Sequence, residues 1–220
     1  MLVVIQCAAG KQHYAGHLRT LDDRKVMFVA QPSSAPADGD WVYARPDDIS
    51  DRGESWRTVL ERCNAEPGEN PLGLLPAWRL YRNPAYEPLC RRIGPERLYI
   101  LSAGWGLVRA DYLTPNYDIT FSKAGNVPKF KRRGGQDVYN DFWLPSGVSD
   151  PIAFFGGRDY LPLFTKLTAR AKGTRTVFYA GRGVTAPGCK LQRFGHPFTN
   201  WHYQCAKGFL DRLRESGVTI

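Results

Sequence analysis

Four short apolar runs, each giving way to glycine and small polar residues, constrain this chain more than any other feature. They are Leu2 to Lys11 (LVVIQCAAGK), Leu98 to Gly106 (LYILSAGWG), Ile152 to Asp159 (IAFFGGRD) and Val177 to Gly183 (VFYAGRG). Continuous runs of this length read as strands buried on both faces, the pattern of a parallel sheet. Glycine directly after the last apolar residue lets backbone approach a ligand. In open α/β sheets ligands sit beyond the carboxyl ends of the strands. The expected fold is therefore α/β: a mixed sheet with a parallel core flanked by helices, its strand-end loops forming one cleft.

The rest of the chain fits one α/β domain over residues 1–220. Residues 2–7 predict the central strand; 98–102, 152–155 and 175–180 predict three more. Residues 25–30 and 41–44 are shorter extended candidates, separated by a loop over 31–40. Glu54 to Glu66 predicts a helix with Trp56, Val59, Leu60 and Cys63 on one face, stopped by Pro67-Gly68. Pro76 to Ile93 predicts two short helices broken at Asn83-Pro84, and Tyr160 to Lys172 another. Thr199 is placed to cap a final helix through about Glu215, with Gly217 past its end. Residues 110–150 lack periodicity and form a long basic loop region, of the kind that carries function.

Charge and cysteines narrow the classes. The net charge is +9, unevenly spread. Residues 1–70 hold eight Lys/Arg against eleven Asp/Glu, a net of −3, and the remainder carries +12. Eight basic residues and no acid lie between Tyr160 and Leu210, and five between Ile119 and Gln136. Such a field is the footprint of a polyanion binder, with plain solubility as the alternative. Five cysteines, an odd count with no signal-peptide pattern, suggest free thiols and a cytoplasmic location. No run is long enough for a membrane helix. No Cys-x-x-Cys occurs. Cys189, His196, His202 and Cys205, or His13 and His17, have metal-ligand chemistry but match no zinc spacing. No metal and no cofactor are expected.

The most specific segment is Leu101-Ser-Ala-Gly-Trp-Gly-Leu-Val108 followed by Pro115-Asn-Tyr-Asp118. Together with Cys7 and Lys11 in a Cys-x-x-x-Lys start, it resembles the YaaA peroxide-stress group and its prokaryotic defence relatives. Trp105 stands where that group has Tyr or His, and Asn116 is an extra residue before Tyr117. The resemblance covers about a tenth of the chain. It implies DNA binding and, through the defence relatives, DNA glycosylase activity on modified phage bases. Phe155 to Tyr160 is similar over a short stretch to the Gly-Gln-Asp-Pro-Tyr turn of uracil-DNA glycosylases, and Gly195 to Phe198 to their His-Pro-Ser loop.

The chemistry of N-glycoside cleavage needs a carboxylate against an oxocarbenium-like sugar and a pocket for an extruded base. Asp118 and Asp159, both near predicted strand ends, are the catalytic candidates. Asp118 could instead close a turn, and Asp159 could serve the first turn of the next helix. Cys7, Lys11, Ser102, Trp105, Gly106, Tyr117, Arg158 and Arg182 are the substrate-binding candidates. Cys7 reads more readily as a buried strand cysteine than as a nucleophile. Trp105 could stack on a base or pack beneath its loop. Lys123, Lys129, Phe130, Lys131, Arg132, Arg133 and His196 are the DNA-binding candidates. In the tract 129–133 an aromatic interleaves with four cations, as a solvated loop or one that follows a phosphate backbone.

The expected function is a DNA glycosylase that excises a modified base from double-stranded DNA. Two alternatives stand beside it. One is a non-catalytic DNA-binding stress protein. The other is a ribosyl hydrolase or transferase acting on free nucleosides or nucleotides, which would have little use for the basic loop.

Overall fold

The computed structural model describes residues 1–37, 39–66, 68, 70–195 and 198–215, Arg214 by its backbone alone. All four apolar runs are strands, and they are neighbours: β1 (Leu2–Gln6), β5 (Leu98–Ser102), β8 (Ile152–Phe155) and β9 (Arg175–Tyr179). The six-stranded sheet runs β10-β9-β8-β1-β5-β6, where β6 is Gly106–Arg109 and β10 is Lys190–Arg193. Every pairing in it is parallel except β5 with β6, a hairpin. The fold is thus α/β with a mostly parallel core flanked by helices. Strand β1 is central, with Val3 level with Leu98 on one side and Ala153 on the other.

Alternation along β1 explains why its run is apolar throughout. Val3 and Ile5 face one apolar cluster, shared with Trp56, Leu80, Tyr86, Leu89 and Cys205. Val4 faces a second, shared with Leu161, Phe164 and Leu167. None of Val3, Val4 and Ile5 is exposed, and each such burial is worth roughly 1.5–3 kcal/mol.

The helices divide between the two faces. On the first lie α1 (Trp56–Ala65), α2 (Ala77–Leu80), α3 (Tyr86–Ile93) and α5 (Trp201–Glu215). On the second lies α4 (Leu161–Leu167). Ser55 caps α1, its hydroxyl accepting from the Thr58 amide, and the break at Asn83-Pro84 separates α2 from α3. Helix α4 is shorter than the periodicity suggests, ending before Thr168. Helix α5 starts at Trp201, two residues beyond Thr199, after Asn200 turns with φ +64°. Pro67 and Gly217 lie outside the described residues.

The two extended candidates near the start are strands, β2 (Lys25–Phe28) and β3 (Trp41–Ala44), but they pair with each other outside the main sheet. A two-residue antiparallel pair joins β4 (Leu75–Pro76) to β7 (Leu113–Thr114). Residues 117–133 are knitted in rather than loose: Asp118 N donates to Phe28 O, Thr120 N to Lys131 O, and Arg133 N to Thr120 O.

The topology fixes where a ligand can sit. From β1 the chain passes to β5 on one side, and later returns to β8 on the other side before continuing outward to β9 and β10. The order therefore reverses between β1 and β8, the switch point at which open α/β sheets form a crevice. Among the described residues no helix is long and apolar enough to cross a membrane.

Candidate active site at the strand ends

A cleft of about 470 Å³ opens at that switch point. Its floor is the end of β1, Gln6 to Gly10, with Gly157, Asp159 and Tyr160 from the turn after β8. Arg82 and Asn83 from the α2–α3 break, Thr120 and Ser122, and Asn200 and Tyr203 at the start of α5 complete the wall. Gln6 ties the two strand ends together, its Oε1 accepting from Gly157 N at 2.5 Å. Among the lining residues Asp159 is the one carboxylate.

Behind the floor lies a phenol network. Cys7 Sγ is 3.2 Å from Tyr160 OH. Tyr117 OH accepts from Ser102 Oγ at 2.8 Å and meets Tyr81 OH at 2.9 Å. Tyr86 OH donates to Gln6 O at 2.9 Å and meets Tyr203 OH at 3.2 Å. Burial holds the hydroxyls of Tyr81, Tyr86, Tyr117, Tyr160 and Tyr203 above the ordinary phenol range, and the nearby Cys7 adds to the shift in each. Lys11 sits over the Tyr117 ring, Nζ 4.2 Å from its centroid. Burial lowers the Lys11 ammonium, while Cys7 and Asp118 pull it the other way.

Of the two catalytic candidates, then, only Asp159 lines the cleft. Asp118 is held by Lys131, Oδ2 to Nζ 2.5 Å, and does not line the cavity. Cys7 lines the cleft from a buried position, and Lys11, Ser102 and Tyr117 stand behind it. Arg158 and Arg182 are exposed and joined, the Arg158 guanidinium donating to the Arg182 carbonyl at 2.7 Å, but neither lines the cleft.

Trp105 corrects an expectation: it is wholly buried and cannot stack on a base. It packs edge-on against Phe28 at 5.0 Å and parallel to Phe142 at 6.4 Å. Its turn is a structural knot. Ser102 Oγ accepts from Gly104 N and Trp105 N. The buried Arg57 donates to the Trp105 and Gly104 carbonyls, and the buried Arg133 to that of Ala103. Gly106 is needed there for its backbone, with φ +88° and no room for a Cβ beside Asp141 and Phe142.

The basic tract 129–133 is likewise not a free phosphate-following loop. Arg133 forms a buried two-bonded pair with Asp141, at 2.8 and 2.7 Å. Arg132 donates to the Val127 and Ala124 carbonyls, and Lys131 is paired with Asp118. Phe130 is half-buried against Tyr43 and cannot wedge between bases without leaving it. Lys129 alone of residues 129–133 is exposed. His196 lies outside the described residues.

The exposed cations that matter gather elsewhere. Lys123, Arg158 and Lys166 line a second groove of about 480 Å³, together with Phe121, Asp137 and Asp159. Asp159 therefore stands on the wall common to cleft and groove. Sequence reasoning missed Arg82, Asn83, Thr120, Ser122 and Asn200 as site residues, because they lie outside the helices and strands, where periodicity gives no signal. Comparison of the chain with protein families, curated proteins and solved structures finds no match.

Proposed function

We propose that the protein hydrolyses an N-glycosidic bond in DNA, with the strand-end cleft receiving the reacting nucleotide and Asp159 supplying the carboxylate. The observation that carries the reading is the position of Asp159 between a polar cleft and a groove with three exposed cations. A phosphate chain needs cations. An extruded nucleotide needs a pocket beside them. The developing oxocarbenium ion needs a negative group between the two. The similarity of residues 155–160 to the water-handling turn of uracil-DNA glycosylases points the same way.

In this reading the bond from C1′ to the base nitrogen breaks and its electron pair leaves with the base. A water oxygen bonds C1′, and its proton passes to the Asp159 carboxylate. Asn83 and Asn200 supply amides to the base, and Arg158 holds a flanking phosphate. The test is incubation with DNAs bearing natural and phage-type modified bases, with mass spectrometry of released bases. Asp159→Asn is expected to abolish release while DNA binding persists, because the amide keeps shape and loses charge. Asp118→Asn is expected to retain measurable release. Release at the wild-type rate from Asp159→Asn overturns the assignment. A wild-type protein that binds DNA and never frees a base is a binding protein instead.

A further inference from the structure

We infer that the nucleic acid is held as a single strand, along a track that leaves the cleft, crosses the cationic groove and ends on Trp143. The inference rests on the nucleic-acid reading above but not on its chemistry. Three cavities that look separate are joined, the first two by a shared side chain and the last two by a contact between their linings. Asp159 belongs to both the cleft and the cationic groove. Lys166 lines the groove and lies over the Trp143 ring, 5.9 Å from its centroid. Trp143 in turn walls a hollow of about 660 Å³, with Tyr99, Leu107, Arg109 and Tyr112 among its other sides.

Trp143 is the most exposed tryptophan of the chain, at 40%. Arg170, in the turn after α4, joins Lys166 beside it, 5.1 Å from the ring centroid, so two cations four residues apart in sequence gather on the indole. The carboxylate nearest Lys166, Asp141 at 3.9 Å, is already spent on Arg133. Cations gathered around a part-exposed indole are elements of a single-strand platform: charge for phosphates and an aromatic surface for bases. A duplex keeps its base faces covered and could not use the indole.

The hollow also indicates how a base would be held. The Asn64 and Asn70 amides on its wall are both committed to backbone partners. Arg109 and Asp111 on the same wall are paired with each other, which leaves the Tyr99 and Tyr112 hydroxyls for base edges, so stacking dominates there and selectivity falls to the cleft.

The test is fluorescence anisotropy with dye-labelled thymidine oligonucleotides of increasing length and with a blunt duplex. Single strands should bind about ten-fold tighter than the duplex, with affinity rising until the strand is long enough to reach Trp143. Trp143→Ala should lose about ten-fold and the length dependence, while Trp143→Phe, which keeps a ring, retains most of both. Lys166→Ala should lower the salt slope by about 0.7, the share of one phosphate. Equal affinity for duplex and single strand, or Trp143→Ala within about two-fold of wild type, overturns the track. Single-strand binding without any base release leaves the track standing and removes the glycosidase. Base release from duplex with Trp143→Ala as active as wild type does the reverse.

Discussion

At the scale of single residues, the arginines show what a composition count conceals. Arg132 and Arg133 stand in a basic run, and their neighbours in sequence offer no carboxylate. Their partners, the Val127 and Ala103 carbonyls and the Asp141 carboxylate, become visible only once the chain has folded back on itself. Arg133→Met should therefore cost stability rather than DNA affinity, by about 3–5 kcal/mol, since it strands the Asp141 charge in the interior. Lys129→Ala should stay within about 0.5 kcal/mol of wild type. Urea unfolding of the two variants checks the contrast. His202 gives a second prediction. It is buried with Nε2 unpartnered, and burial alone pushes it down to about 4 from an ordinary 6.5. The unfolded chain takes up the proton below pH 6.5 and the native protein not until about 4, so stability falls across that window as pH drops. At pH 5 the loss is about 2 kcal/mol, and His202→Phe should remove it, read as the shift in urea midpoint between pH 7 and pH 5.

At the scale of elements, the parallel core was legible because strands buried on both faces need nothing but apolar residues. The same rule hid β6 and β10. Strand β6 is short and begins at a glycine, and β10 is exposed along its whole length, Lys190 to Arg193. The site was legible in outline, since the glycine-bearing ends of β1 and β8 do frame the cleft. The end of β5 misled. Its motif is the most specific in the chain, yet its glycines, tryptophan and serine serve a turn held by two buried arginines. Gly106→Ala should accordingly damage folding rather than binding. A Cβ there would lie 2.7 Å from Asp141 Cβ and from the Phe142 backbone, at φ +88°. The expected cost is about 2 kcal/mol or more. That corresponds to a thermal midpoint lowered by about 4–8 °C, measurable by calorimetry.

At the scale of the whole molecule, a net charge of +9 is the kind of field that polyanion binders carry, and the fold decides which of the cations are exposed. With Lys131, Arg132 and Arg133 held by Asp118, by carbonyl groups and by Asp141, the proposed phosphate contacts fall to the exposed groove cations Lys123, Arg158 and Lys166. Replacing those three with alanine should lower the salt slope of single-strand binding by about 2 in a titration across salt concentrations. The phenol network behind the cleft has a consequence for the other end of the pH scale. Tyr81, Tyr86, Tyr117 and Tyr160 keep their protons in the native state well beyond pH 10, whereas the unfolded chain gives them up there. Each thus lends stability that is complete below pH 10 and drains away above it. The candidate cleft thus rests on a part of the core whose contribution to stability alkali removes. The share of phenolate absorbance that belongs to these buried tyrosines should rise in a single cooperative step with the loss of structure, and the molecule should fail in base as one unit.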